Sequence, residues 1–507
     1  MKHRRGAALL FLAIAALAAA FRFPQLAARP MHADEAVNAD KLGTLLEQGR
    51  YEYSAVEFHG PTLYYAALAV ARLHGLTDYR ELNEITLRAV PAVIGVLLVL
   101  AHFWLIPYLG LPAAACAALF TAVSPAMVYY SRYFIHEMLL LFFTFCAMLA
   151  VFAYVRRLSA GWALAAGALF GLMYATKETW IIAAACMLLA GLIGSVLGGA
   201  DPLVRTGRPR PAVAATSPAG AHALLAVLAF VAVAILLLSS FFTHPRGIID
   251  SVLAYRTYFA RGAGVNTVHV HPWYFYFVCL RFEVPIVALA LVGLAVSRTG
   301  MARFVAIYTV LMVVVYCAIP YKAPWNVLSS LHGMILLAGI GVAWIAGHVS
   351  KLVAVALLGI GVAQLGWQAR ADSFQLASDP RNPWVYAHTG TDVFLIVKQI
   401  EALAAVNPAG FAMPIQIFTR ENLWPLPWYL RRYSHVRWWN GVSDTAELAP
   451  VILATPDMEP ALLHRIYEVP PPGRREMYVN MFPRYVELRP RVEVRGYVAK
   501  SLWDGLQ

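Results

Sequence analysis

Pro61-Thr62-Leu63-Tyr64-Tyr65-Ala66-Ala67-Leu68-Ala69-Val70-Ala71-Arg72-Leu73-His74-Gly75 is largely apolar until Arg72 and His74 interrupt it. Whether this stretch crosses a bilayer or lies along its surface decides the orientation of everything after it. Around it stand longer apolar runs, each near the roughly 17–25 residues a crossing needs. They fall at 7–22, 86–106, 112–129, 138–155, 161–176, 179–198, 222–242, 273–296, 303–319, 328–349 and 352–368. Small basic clusters separate them: Arg156-Arg157, then Arg205, Arg208 and Arg210, then Arg298 and Arg303, then Lys351. If 61–75 is a surface helix, all of these join the basic N-terminus on the inner side; if it spans, all of them fall outside. Basic loops stay inside, so the surface reading holds. It predicts about 11 crossings, the N-terminus inside and the C-terminus outside.

Composition points the same way. Of 507 residues, 60% are hydrophobic and only 13% charged, which excludes an ordinary soluble domain and places the chain among multi-pass membrane proteins. The 25 Tyr, 25 Phe and 13 Trp suit rings seated at bilayer interfaces. The net charge of +12 is scattered between apolar runs instead of forming one stripe, so it orients helices and does not mark a nucleic-acid partner. Cys116, Cys146, Cys186, Cys279 and Cys317 lie in or beside apolar runs without a CxxC pair, and read as small buried side chains. Met1-Lys2-His3-Arg4-Arg5 and the apolar run that follows are expected to be an uncleaved first span. The expected location is the inner or plasma membrane.

Two longer outer segments result, about 22–85 and about 243–272. The second carries His244-Pro245-Arg246 and Val268-His269-Val270-His271-Pro272. The inner loop near 200–220, with Arg208-Pro209-Arg210-Pro211 and Ser217-Pro218, has the composition of a flexible connection. The expected division is a transmembrane module at 1–370 and an outer soluble domain of mixed α/β type at 371–507, with short alternating runs such as Glu487-Leu488-Arg489 and Val492-Glu493-Val494.

Within the first outer segment stand two adjacent acids, His32-Ala33-Asp34-Glu35. An N-cap role needs one acid and leaves the other unexplained. Further charges are expected on the same face from separate segments: Glu57, His59, Arg132, His136, Glu137, Lys177, Glu178, Arg256 and Lys322. Charges so placed tend to line a functional cavity. The plainer readings are helix-end anchoring by Lys177 and Lys322, interface anchoring by Tyr and Trp, a structural Arg132–Glu137 ion pair, and ordinary loop roles for His269 and His271. Arg132 and Glu137, five apart, are poor helix neighbours, so each is expected to address a different partner.

Together these segments resemble the GT-C class of membrane glycosyltransferases, in particular the dolichyl-phosphate-mannose protein mannosyltransferases and the bacterial aminoarabinose transferases of lipid A. The resemblance rests on Asp34-Glu35 after the first span, Gly60-Pro61-Thr62-Leu63-Tyr64-Tyr65, Arg88-Ala89-Val90-Pro91-Ala92, Ser124-Pro125 through Arg132 to Glu137-Met138-Leu139-Leu140, and Gly171 to Lys177. With His32-Ala33-Asp34-Glu35-Ala36, Lys177-Glu178-Thr179 and Tyr321-Lys322-Ala323-Pro324-Trp325-Asn326, the chain is most similar to a prokaryotic subgroup labelled flippase-activity-associated proteins. It covers roughly 1–370 and is most specific in the first 180 residues. Glu137 stands where the family usually has an aspartate, which keeps the charge and lengthens the arm.

The resemblance implies a GT-C fold and transfer, with inversion, of a sugar from a polyprenyl-phosphate donor to an acceptor hydroxyl on a glycan, lipid or protein. It implies Asp34 as general base, with Glu35 orienting the acceptor or assisting a cation. Arg132, Lys177, Lys322 and Arg88 would hold the phosphate as its charge develops. His59, Tyr64, Glu137, Glu178 and Trp325 would support the sugar or acceptor. The residues leave the need for a divalent metal open: Glu35, Glu137 and His269 are its candidate ligands, though their spacing forms no metal motif. A flippase, transporter or accessory protein for lipid-linked sugars would instead place charges deep within broken spans, and a scaffold displaying the outer tail would not need acids and cations converging from four segments.

Overall fold

The computed structural model describes residues 2–56, 59–197, 219–265, 269–298, 300–445, 447–471, 473 and 475–506. Glu57 and the Arg205–Pro218 part of the inner loop lie outside them. Helix α1 (Lys2–Arg22) turns Phe11, Ile14 and Ala18 inward and Leu9 and Leu12 outward, an apolar outer face that suits lipid, not water. After it come α2 (Ala33–Gln48) and α3 (Thr62–Leu73). At 12 residues, α3 is about 18 Å long and too short for a ~30 Å hydrocarbon layer, in keeping with its reading as a surface helix.

The chain continues through α4 (Glu84–Ala101), the short α5 (Ile106–Leu109), α6 (Leu111–Val123) and α7 (Pro125–Tyr130). Then follow α8 (Glu137–Arg157), α9 (Ala160–Tyr174), α10 (Trp180–Leu197), α11 (Ala219–Leu238) and α12 (Arg246–Gly262). The module closes with α13 (Phe275–Cys279), α14 (Val284–Val296), α15 (Gly300–Ala318), α16 (Leu328–His348) and α17 (Lys351–Arg370). Among the described residues eight helical segments are long and apolar enough to cross a membrane. The other three expected crossings take different forms: α6 and α9 are shorter apolar helices, and 275–296 is bent by 110°. Pro285 stands in the first turn after the bend, where a missing N–H and the restriction on its predecessor break the helix. Ser124 and Pro125 likewise end α6 six residues before the expected boundary at 129.

Small residues let the helices close up. A Cβ on Gly293 would sit 1.9 Å from the Leu337 carbonyl oxygen, and one on Gly341 2.3 Å from that of Leu289, so α14 and α16 meet backbone to backbone. At the end of the bundle that carries α3, a Cβ on Gly60 would lie 2.1 Å from the Ala175 carbonyl oxygen. That approach lets Gly60 donate to the Thr176 carbonyl at 3.1 Å and Thr62 to the Ala175 carbonyl at 3.3 Å, clipping the start of α3 to the turn that carries Lys177 and Glu178.

A π-helical turn (Ala371–Gln375) ends the last span, and a strap at 376–391 leads to α18 (Asp392–Val406). Beyond it a five-stranded sheet runs in the order β2-β1-β3-β7-β4, formed by β1 (Ile415–Phe418), β2 (Val436–Trp439), β3 (Val451–Ala454), β4 (Tyr478–Asn480) and β7 (Arg495–Ala499). β1 pairs in parallel with β2 and β3, while β7 is antiparallel to β3 and β4. Strands β5 (Glu487–Arg489) and β6 (Val492–Glu493) make a separate hairpin, and α20 (Glu459–Tyr467) follows the four-residue α19 (Leu426–Tyr429). The mixed sheet agrees with the α/β expectation. The domain is docked: Trp428 donates to Glu84 at 2.8 Å, and the Tyr429 hydroxyl accepts from the Met31 amide at 2.9 Å.

Candidate active site

The acidic pair opens α2 and divides into two fates. His32 is the N-cap, and its Nδ1 accepts from the Asp34 amide at 3.0 Å. That leaves the proton on Nε2, which donates to the Tyr386 carbonyl on the strap at 3.0 Å. Glu35 completes the capping box by accepting from the His32 amide at 3.1 Å. Its carboxylate is fully buried, whereas the Asp34 side chain is 51% exposed.

Glu35 accepts from Arg29 Nη2 at 3.0 Å, Arg88 Nε at 2.8 Å, Arg88 Nη2 at 2.7 Å and the Phe134 amide at 2.9 Å. Burial alone would raise its pKa, but Arg29, Arg88 and these hydrogen bonds hold the carboxyl at about 2. Arg88 spends its remaining donors on the carbonyls of Leu26, Arg29 and Pro30 and on the Met31 sulfur. Every side-chain oxygen of Glu35 and every side-chain nitrogen of Arg88 is thus engaged in tying the segment before α2 to α4.

Arg132 is held differently. Its Nη1 donates to the carbonyls of Arg22 and Pro24, its Nη2 to that of Gln25, and its guanidinium stacks 4.4 Å over the Phe374 ring. Buried Arg22 bonds only to carbonyls and to the Ser131 hydroxyl. Neither arginine has a carboxylate partner among the described residues. Burial, then the charges of Arg29 and Arg88, lower the Arg132 pKa to about 9. Four guanidinium groups thus crowd together with Glu35 as their buried counter-charge.

Glu137 pairs with Lys177 and not with Arg132, as their spacing led one to expect. Burial opposes the charge on Lys177, yet Glu137 raises its pKa. Beside them, buried Glu178 accepts from the Tyr53 hydroxyl and lies 2.6 Å from His59 Nδ1, which is also 2.9 Å from the Tyr258 hydroxyl. Burial would raise the Glu178 pKa; His59 and Tyr53 bring it below its ordinary value. Tyr64 is enclosed, donating to Asn38 at 2.7 Å and stacked on Tyr51. Lys322 is buried, its Nζ donating to the Ile319 carbonyl, with no carboxylate at ion-pair distance among the described residues.

Around Asp34 gather groups from four parts of the chain. Its charge acts on His32, Tyr133, His269 and Tyr321. Trp325 stands edge-on to His32 at 6.2 Å and to Tyr386 at 5.9 Å, while the Tyr386 hydroxyl lies 2.7 Å from His269 Nδ1 and 2.9 Å from His271 Nε2. His388 lies 3.0 Å from Arg29 and 2.8 Å from the Tyr129 hydroxyl. Burial lowers the pKa of both His32 and His388. Arg29, Tyr386 and His388 escaped the sequence reading: Arg29 belongs to no motif, and the strap has no periodicity.

The metal candidates do not come together. Glu35 faces guanidinium groups, Glu137 faces Lys177, and His269 faces Tyr386. Among the described residues no three His, Cys, Asp or Glu side chains converge on one point, so these donors do not make a metal site.

A half-exposed acid thus stands on a capped helix beside the membrane bundle, in a chain that also buries an excess of cations. The comparisons bear on the fold that holds them. The sequence profile described as dolichyl-phosphate-mannose-protein mannosyltransferase matches residues 59–203. The fold is similar to ArnT from Cupriavidus metallidurans bound to undecaprenyl phosphate, at 14% identity and a TM-score of 0.62, covering 97% of this chain and 98% of that one. The apo state of the same protein gives 14% identity and 0.63, covering 98% and 99%. The Archaeoglobus fulgidus oligosaccharyltransferase tethered to an acceptor peptide gives 12% and 0.56, covering 85% of this chain and 63% of that one. No curated protein is significantly similar in sequence. The chain has the GT-C fold and resembles the protein mannosyltransferase and ArnT group.

Proposed function

We propose that this chain transfers a sugar from a polyprenyl-phosphate donor to an acceptor hydroxyl at the outer face of the membrane, with inversion. The carrying observation is the split of the acidic pair: Asp34 is left half-exposed among His32, Tyr133, His269 and Tyr321, while Glu35 is consumed in fixing it there. Asp34 takes the proton of the acceptor hydroxyl, whose oxygen attacks the anomeric carbon as the bond to the lipid phosphate breaks on the opposite side. The acid is positioned by its cap, so little reorganisation accompanies the step.

The phosphate gains charge as it leaves, and fixed cations are worth most where water is excluded. Arg132 and Lys322, buried without carboxylate partners among the described residues, are the proposed phosphate-facing pair; Lys177 contributes through Glu137. His59 and Glu178 brace the outer turn, Tyr64 packs beneath it, and Trp325 walls the sugar. The ArnT structure was solved with undecaprenyl phosphate, which supports a lipid phosphate as the leaving group here. Purified protein given a polyprenyl-phosphate sugar and an acceptor should release polyprenyl phosphate. Release by wild type but not by Asp34→Asn supports the reading; equal release by both overturns it.

A further inference from the structure

The C-terminal domain holds a polar cavity of about 430 Å³, lined by none of the residues that gather around Asp34, between β7, the end of β4 and the turn that leads into β5. That volume is within the roughly 300–1,000 Å³ of small-molecule sites. Arg495 lines it between two acids, donating from Nε to Glu493 at 2.7 Å and from Nη1 to Glu459. The Tyr497 hydroxyl also donates to Glu459. Two carboxylates thus share one guanidinium, and each keeps acceptor capacity toward a further O–H donor. These groups face the cavity partly open: side-chain exposure is 24% for Glu459, 22% for Glu493 and 37% for Arg495.

One wall is aromatic. Tyr485, 57% exposed, and Phe482, nearly enclosed, both line the cavity. An exposed aromatic ring and carboxylates with a guanidinium lining one cavity suit a pyranose or furanose ring: its C–H face covers the aromatic surface while its hydroxyls donate charge-assisted hydrogen bonds to the acids. The cavity is also joined by hydrogen bonds to the start of α18 and to the end of the strap. Arg484 and the Glu487 amide both bind Asp392 at the start of α18, and Gly390 donates to Leu488 at 2.8 Å. Two residues before Gly390 is His388, which meets Arg29.

We propose that this cavity binds a saccharide unit of the acceptor, holding a glycan on the outer domain while its reactive end lies near Asp34. The inference rests on the reading of the chain as a glycosyltransferase and adds a second, non-reacting sugar site. The test uses the full chain in detergent and ligand-observed NMR with methyl α-mannopyranoside, methyl β-galactopyranoside, methyl α-arabinofuranoside and N-acetylglucosamine. Saturable binding of at least one probe, weakened tenfold or more by Tyr485→Ala and by Glu493→Gln and unchanged by Asp34→Asn, is the expected result. Tyr485 is largely exposed, so its loss leaves the fold intact. Binding of no probe to the wild type, or binding untouched by both cavity variants, overturns the proposal. Binding lost only in Asp34→Asn overturns it too, while leaving the transferase reading in place. Cavity-dependent binding without any sugar transfer supports the site and overturns the transferase reading.

Discussion

Arg88 meets Glu35 side by side, Nε 2.8 Å from Oε1 and Nη2 2.7 Å from Oε2, with both groups shut away from solvent. The fork matches the carboxylate at two points, a geometry lysine cannot copy. Removing one partner strands a buried charge, at a cost of about 3–5 kcal/mol. Arg88→Ala and Glu35→Gln should each destabilise the protein by about that much, and Arg88→Lys by somewhat less. Denaturant unfolding in detergent measures it; variants as stable as wild type would remove the pair from the framework.

The same pair sets a pH dependence. Glu35 sits at about 2 in the folded protein against an ordinary 4.5, so the unfolded chain takes up the proton first as pH falls. Its contribution, on the order of 3 kcal/mol, is complete above pH 4.5 and is lost on acidification toward pH 2. Unfolding free energies of wild type and Glu35→Gln should therefore converge as pH drops through that window. A gap that stays constant from pH 6 to pH 3 would contradict the assignment.

Asp34 should behave in the opposite way. It is half-exposed, and its carboxylate fixes no other segment, so Asp34→Asn should change stability by less than about 0.5 kcal/mol. If it is the base, the same change should lower the turnover rate by about 10²–10⁴, with donor affinity retained. Single-turnover release of polyprenyl phosphate, followed beside thermal unfolding, separates the two effects. A variant that is inactive because it is unfolded would speak against this division of labour.

The reach of the sequence follows from the range of the interactions. Apolar runs are local, so the helices stood out. The bend at Glu283 and the break at Ser124 each follow from one proline inside an otherwise apolar stretch, a weak signal against the surrounding hydropathy. The sequence separated Asp34 from Glu35 only through the resemblance, because what separates them physically comes from Arg29, Arg88 and the Phe134 amide, two of them on distant segments. The strap with Tyr386 and His388 was invisible for the same reason: its path is set by contacts to Met31, His32 and Tyr129.

Lys177 comes from the turn between α9 and α10 and Glu137 from the start of α8, and both are nearly enclosed. A double-mutant cycle should therefore show strong coupling. Glu137→Gln and Lys177→Met should each cost about 3–5 kcal/mol, because each leaves a buried charge alone. Together they should cost less than the sum by more than 1 kcal/mol. Additive losses would mean that the two side chains do not share an ion pair.

Orientation is the premise on which the outer location of the site depends, and cysteine labelling decides it. The native cysteines are buried or half-buried, which keeps the background low. Ser443 and Arg157 are exposed, one in the C-terminal domain and the other at the end of α8. With basic loops retained inside, Ser443→Cys should react in intact cells with a membrane-impermeant maleimide that reaches the outer face. Arg157→Cys should react only after the inner membrane is permeabilised. The reverse pattern would put Asp34, the arginine cluster and the sugar cavity on the cytoplasmic side, where the lipid-linked donor would have to be met on the inner leaflet.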